Sequence, residues 1–262
     1  GHNALASCTT GAQNVAVGAN ALPASTTAGN NVAVGNESLQ NCTTGQYNTA
    51  VGSLCLRAQT TANGNTAVGY NAMTSNTSGT QNVAFGTNAL DENTTASDIT
   101  AIGYEALASN TMSCTTGSTN AAFGRQSLFA NTTGIQNTAC GTFALDANTT
   151  GQNNTAVGYN ALGSSTTAAN CTAVGTDALR DNTATSNTAV GEACLRACTS
   201  GDQNTGVGVN VALSLTTGSN NLLLGFEAGS SNSPTGAIGT GSNNVCLGNN
   251  DIGDIYCADT TI

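Results

Sequence analysis

A five-residue phrase of the form Asn-(Thr/Val)-Ala-Val-Gly recurs along the whole chain, and its alternation of polar, small and β-branched residues predicts short strands joined by tight turns. The closing glycine falls at Gly1, Gly18, Gly35, Gly52, Gly69, Gly86, Gly103, Gly124, Gly141, Gly158, Gly175, Gly191, Gly208, Gly225 and Gly248. Eleven of these fourteen intervals are 17 residues long. The exceptions are an insertion before Gly124, a one-residue deletion before Gly191 and an irregular 23-residue stretch before Gly248. A fixed period of this length marks a repeat architecture, and a 17-residue unit is too short for a pair of helices.

Each place in the repeat has its own chemistry. Four residues before the glycine stands Asn in 12 of 14 repeats, as at Asn14, Asn31, Asn48, Asn65, Asn82, Asn137, Asn154 and Asn204, with breaks at Ile99 and Cys171. Stacked identical amides pass hydrogen bonds from one coil to the next, so this column predicts a structural ladder. Two residues before the glycine stands Ala (Ala16, Ala33, Ala50, Ala67), and one before it a larger apolar residue (Val17, Val34, Val51, Phe85, Ile102, Phe123). Four after it stands Leu or Met, as at Leu22, Leu39, Leu56 and Met73. Thr-Thr-Gly or Thr-Thr-Ala marks the far turn, as at Thr43-Thr44-Gly45. One strand is expected to end at the glycine, and a second to carry the Ala-Leu pair.

The predicted fold is therefore all-β, a parallel β-solenoid (β-roll or β-helix) of about fifteen 17-residue coils. At about 4.8 Å per coil it would be a rod about 70 Å long. The repeat shaft covers residues 1–229, with its insertion near 108–120, and residues 230–262 form an irregular terminal coil and neck. Because Gly1 already closes a phrase, further coils are expected upstream.

Successive side chains of a strand point to opposite faces, so the Ala and Val columns cannot both face inward. Both faces of the strand are thus apolar, and a coil this thin encloses little core. An apolar stripe running the length of a rod is covered most simply by identical chains carrying the same stripe at the same period. A homotrimer is the preferred assembly, ahead of a lone solenoid or a filament.

Composition narrows the function. Only 7% of residues are charged, Lys is absent, and the four basic residues are Arg57, Arg125, Arg180 and Arg196, within a net charge of -10. No basic stripe exists to neutralise phosphates, which argues against nucleic-acid partners and anionic membrane surfaces. No run of about 18 apolar residues is present, so no membrane insertion is expected.

Catalysis needs clustered groups, and none are apparent. His2 is the only histidine, and Glu37, Glu105, Asp177 and Glu227 recur at turn positions three or more coils apart. Glycosidase pairs need two carboxylates within about 10 Å, and the close pairs here, Asp91-Glu92 and Asp251 with Asp254, read as solvated turns. The chain is expected to be no enzyme and to need no cofactor; Ca²⁺ near Asp251 and Asp254 is the one cation site left open. The recurring glycines read as turn glycines, since no Gly-rich segment leads into Lys and a helix.

Of ten cysteines, Cys8, Cys42 and Cys198 share the column seven after the glycine, Cys114 lies in the related turn of the insertion, and Cys55 and Cys194 share the column three after it. Zinc-type spacing is absent. In an oxidising environment Cys8, Cys42, Cys55, Cys114, Cys194, Cys198, Cys246 and Cys257 are candidates for disulfides within or between chains, with pairings undetermined. Cys140 and Cys171 replace column residues and read as small buried hydrophobes.

The phrase Asn-Thr-Ala-Val-Gly with its following Ala-Leu resembles the head repeats of trimeric autotransporter adhesins, which implies a left-handed parallel β-roll. Over nearly the whole chain, the repeats are more similar to the repetitive part of bacteriophage and algal-virus tail fibres. The ending, from Ser242-Asn243-Asn244-Val245-Cys246-Leu247-Gly248 to Ile262, resembles the stretch before their C-terminal intramolecular chaperone, which trimerises the fibre and cleaves itself off. That resemblance implies that Ile262 is a mature C-terminus.

The expected function is a structural and adhesive fibre shaft, on a virion surface or otherwise extracellular. It would be a viral tail fibre that presents a host-attachment tip, with identical chains as partners and host-surface glycans as a further contact. The alternatives are a self-assembling extracellular filament or cell-surface adhesin. Ice binding is a more remote one, raised by the Thr column at Thr49, Thr66, Thr138, Thr155 and Thr172 that Val15, Val32, Val83 and Ala121 interrupt.

Overall fold

The computed structural model describes residues 1–111, 119–233 and 236–252. Its regular structure is β1 (Val15–Val17), β2 (Val32–Val34), β3 (Thr49–Val51), β4 (Thr66–Val68), β5 (Val83–Phe85), β6 (Thr100–Ile102), β7 (Ala121–Phe123), β8 (Thr138–Cys140), β9 (Thr155–Val157), β10 (Thr172–Val174), β11 (Thr188–Val190), β12 (Thr205–Val207), β13 (Leu222–Leu224) and β14 (Val245–Leu247). These fourteen strands lie in sequence order in one parallel sheet, the β-solenoid that the repeat predicts. Pairing is in register, so Thr49, Ala50 and Val51 lie beside Thr66, Ala67 and Val68. Thirteen steps of about 4.8 Å place the first and last strands about 62 Å apart. Among the described residues there is no helix long and apolar enough to cross a membrane.

Irregular repeats leave the sheet intact. β6 still pairs with β7 in register across the insertion, and β10 with β11 across the deletion, where Thr172 lies beside Thr188. β13 likewise pairs with β14 across the 23-residue stretch, so the sheet continues past residue 229.

The core is narrow because small residues point inward from every strand except β13, where Leu223 takes the central place. Ala33, Ala50 and Ala67 are fully buried, as are the Leu column and the small residues just before it, such as Ala21 and Cys55. Strand centres pack against these columns: at Gly206, which takes the Ala position of β12, an added Cβ would lie 3.0 Å from Leu195 Cγ and 2.7 Å from Cys194 Sγ.

The expected second strand at the Ala-Leu pair does not form. Leu22, Leu39, Leu56 and their equivalents adopt φ near +50°, a left-handed turn conformation. Such a φ costs a non-glycine residue roughly 1–2 kcal/mol, so propensity alone would not place Leu there. Two gains offset the strain. The side chain is fully buried, and its N–H still bonds the next coil, as Leu22 does to Ser38 O at 2.9 Å and Leu39 to Cys55 O at 3.0 Å.

The closing glycine answers a different demand. At Gly52 φ is +142°, and an added Cβ would sit 2.2 Å from the carbonyl oxygen of Gly69 in the next coil. Backbone meets backbone at this corner, and no side chain fits between.

Candidate interaction surface

Two internal hydrogen-bond columns and one outer face follow from this stacking. In the predicted Asn column, Asn48 donates from its backbone N–H to Asn31 Oδ1 at 2.9 Å and from Nδ2 to the turn carbonyl of Ala62 at 3.0 Å. The pattern repeats at Asn65, Asn82, Asn137, Asn154 and Asn204. All of the predicted ladder residues are buried except Asn14, which is half-buried in the first coil. At Ile99 and Cys171 the ladder loses its amide, yet their backbone N–H groups still reach Asn82 Oδ1 and Asn154 Oδ1, each at 3.0 Å.

A second ladder was not anticipated. The column seven after the glycine, noted in sequence only for its cysteines, also holds Gln59, Asn76, Asn93, Asn110, Asn131, Asn148 and Asn182, all buried. Asn93 donates to Asn76 Oδ1 at 3.0 Å, Asn110 to Asn93 Oδ1 at 2.9 Å, and Asn148 to Asn131 Oδ1 at 2.7 Å. Cys42 and Cys198 use their thiols at the same place, each reaching the carbonyl three residues on. Their shared trait is a donor of the right reach, and that was the signal available in sequence. The turn threonines add a third, surface column: Thr132 Oγ1 donates to Thr149 O, and Thr149 Oγ1 to Thr166 O, both at 3.0 Å.

Among the described residues the candidate cysteines form no disulfide within the chain. Cys8, Cys42, Cys55, Cys194, Cys198 and Cys246 are free thiols. Column-mates are never in adjacent coils; Cys8 and Cys42 are two coils apart, about 9.6 Å at the strand spacing, beyond the reach of a disulfide. Burial pushes the thiols of Cys55 and Cys194 up to about 12 and that of Cys198 to about 11. Cys171 is buried as expected, but Cys140 lies on the outer face and is exposed. Cys114 and Cys257 lie outside the described residues.

Asp251 forms a local turn with Asn249, whose Nδ2 donates to Asp251 Oδ2 at 3.0 Å; Asp254 lies outside the described residues. Among the described residues no three His, Cys, Asp or Glu side chains come together as metal ligands. Glu37, Glu105, Asp177 and Glu227 share a left-handed turn position just past the glycine corner.

The outer face of the sheet carries an apolar column that runs its full length. Strand alternation sends the first and third residue of each strand outward and the central residue inward, which is Ala in β1 to β11 and is buried in every strand after β1. The third-residue column is apolar throughout, and Val17, Phe85 and Val207 expose 57%, 55% and 40% of their surface. Thr49, Thr66, Thr138, Thr155 and Thr172 stand in the first-residue column, interspersed with Val83, Leu222 and Val245. Ion pairs are sparse: among the described residues they are Arg57 with Glu37 at 3.9 Å and Arg180 with Asp181 at 2.8 Å. No protein-family model, no curated protein and no solved structure matches the chain.

Proposed function

We propose that this chain is the shaft of a structural and adhesive fibre on a virion surface or outside a cell, in which identical chains, three to an assembly, cover one another's outer strand face. The apolar outer column that runs from Val17 to Leu247 carries this reading. A face about 62 Å long and two side chains wide offers on the order of 600 Å², about half of it the apolar third-residue column, and so approaches the roughly 800 Å² per partner of a stable interface. A rotation axis parallel to the rod brings like residues together, so that every coil of one chain meets the same coil of its neighbours.

The shaft's mechanical properties would follow from the ladders. Asn side chains and backbone groups bond every coil to the next, leaving few free edges for a protease and little freedom to bend. The role that fits such a rod is to hold a host-attachment tip away from the particle, as in the tail fibres that the repeats resemble.

Sedimentation equilibrium over a wide range of protein concentration tests the assembly. A fixed three-chain mass is expected, and Val51→Asp with Val190→Asp should reduce it while the β-sheet circular dichroism persists. A monomer at all concentrations overturns the proposal. A mass that grows without limit also overturns it, in favour of an end-to-end filament.

A further inference from the structure

Half of the chain's ten Phe and Tyr residues lie between residues 104 and 159, and the structure gathers four side chains from that stretch into one exposed ridge. Tyr104, Arg125 and Tyr159 each directly follow the closing glycine of their coil, and Phe143 stands one place further on. The Arg125 guanidinium lies 6.0 Å from the ring centre of Tyr104 and 5.1 Å from that of Phe143. Phe143 in turn meets Tyr159 edge to face at 5.9 Å and 82°. A continuous strip of ring, guanidinium, ring and ring thus crosses four adjacent coils, about 14 Å from end to end.

We propose that this ridge is a binding strip for an uncharged saccharide. Pyranose rings present C–H faces that stack on aromatic rings and hydroxyls that need fixed polar partners. Such partners flank the strip in coil-to-coil pairs: Gln126 Nε2 donates to Glu105 Oε2 at 2.8 Å, and Asn160 Nδ2 to Asp177 Oδ1 at 2.7 Å. Asp177 keeps its other oxygen for a sugar hydroxyl, Glu105 and the neighbouring Tyr104 hydroxyl form a second polar pair, and Arg125 supplies donors between the rings. The coil step of about 4.8 Å is also close to the advance per unit of an extended β-linked glycan.

Size and charge select this occupant. A protein partner needs roughly 800 Å² on each side, several times what four side chains on a narrow ridge offer. The ridge sets two carboxylates against one guanidinium within a chain of net charge -10, which repels acidic polysaccharides. The inference deepens the reading of the chain as an adhesive shaft, since it names the surface that would touch host glycans.

Saturation-transfer NMR on the intact assembly, with cellohexaose, chitohexaose and mannohexaose as neutral probes and a hexameric uronate as the acidic one, tests it. Transfer to the C–H protons of at least one neutral hexasaccharide is expected, with millimolar affinity. Tyr104→Ala with Tyr159→Ala should weaken binding at least tenfold, Tyr159→Phe should retain it, and Tyr70→Ala, a lone tyrosine in the same column, should change nothing. Absence of transfer to all three neutral sugars, a stronger response to the uronate, or equal loss in Tyr70→Ala overturns the inference. Mass measured on the same sample separates the two proposals. A three-chain assembly that binds no sugar sinks this one alone, and a monomer that binds sinks only the assembly.

Discussion

Asn148 and Ser165 occupy the same column of adjacent coils, and the side-chain oxygens of both are buried without a hydrogen-bond partner. Asn148 bonds backward to Asn131 at 2.7 Å, but the coil ahead presents a serine too short to continue the ladder. Ser165→Asn should join it, satisfying Asn148 Oδ1 and removing a stranded hydroxyl. The expected gain is about 1 kcal/mol, read as a higher urea midpoint. A midpoint that stays level or falls would show that the column lacks room for an amide at this coil.

The glycine corner should be intolerant of any side chain. Gly52→Ala adds a methyl 2.2 Å from the Gly69 carbonyl at a φ of +142°, and a cost of about 3 kcal/mol is expected from overpacking and strain together. Because each coil contacts only its neighbours, the loss should concentrate there. Amide exchange should accelerate around β3 and β4 and stay slow at β10. Uniform acceleration along the rod would contradict nearest-neighbour stability.

The thiols predict a loss of stability in alkali. Cys55 and Cys194 titrate near about 12 in the folded chain and Cys198 near about 11, against an ordinary 9.0. Folding therefore keeps their protons on. Their stabilising contribution is complete below pH 9.0 and is lost as the pH rises toward the folded values, at about 1.4 kcal/mol per thiol per unit. Cys55→Ala with Cys194→Ala, which restores the commonest residue of that column, should flatten the fall in melting temperature between pH 9 and 11. An unchanged slope in the double variant would count against it.

Mild acid should have the opposite effect. Burial raises the carboxyls of Asp91 and Asp146 above the ordinary 3.8, with Glu92 adding to the shift at Asp91. The folded chain holds those protons more tightly than the unfolded one, so stability grows as the pH falls through the raised values. Asp181, lowered by its bond to Arg180, works the other way, but that pair lies near the surface, where solvent weakens it. The melting temperature at pH 4 should equal or exceed that at pH 7, and Asp91→Asn with Asp146→Asn should remove the rise.

Much of this architecture was legible in the repeat because stacked coils turn sequence period directly into spatial columns. Asn31, Asn48 and Asn65 announced their ladder by being identical, and the Ala and Val columns separated inward from outward by strand alternation alone. The second ladder was hidden because Cys42, Gln59, Asn76 and Ser165 share a position without sharing a name. The Leu column misled for another reason. Leu39 and Leu56 look like strand residues, yet burial and a bond to the next coil hold them in a conformation their own preference disfavours. The aromatic ridge was not visible either, since Phe143 and Tyr159 sit at different places in their repeats and meet only across a coil step.

The pairing of β10 with β11 has a consequence for how such a molecule can vary. One residue is missing between Gly175 and Gly191, four extra stand between Gly103 and Gly124, and in both places the strands still meet residue for residue. Changes of length between strands leave the register of the strands that follow unaltered. A gene encoding such coils can gain or lose whole units, each worth about 4.8 Å of reach, without any other part of the rod having to be redesigned.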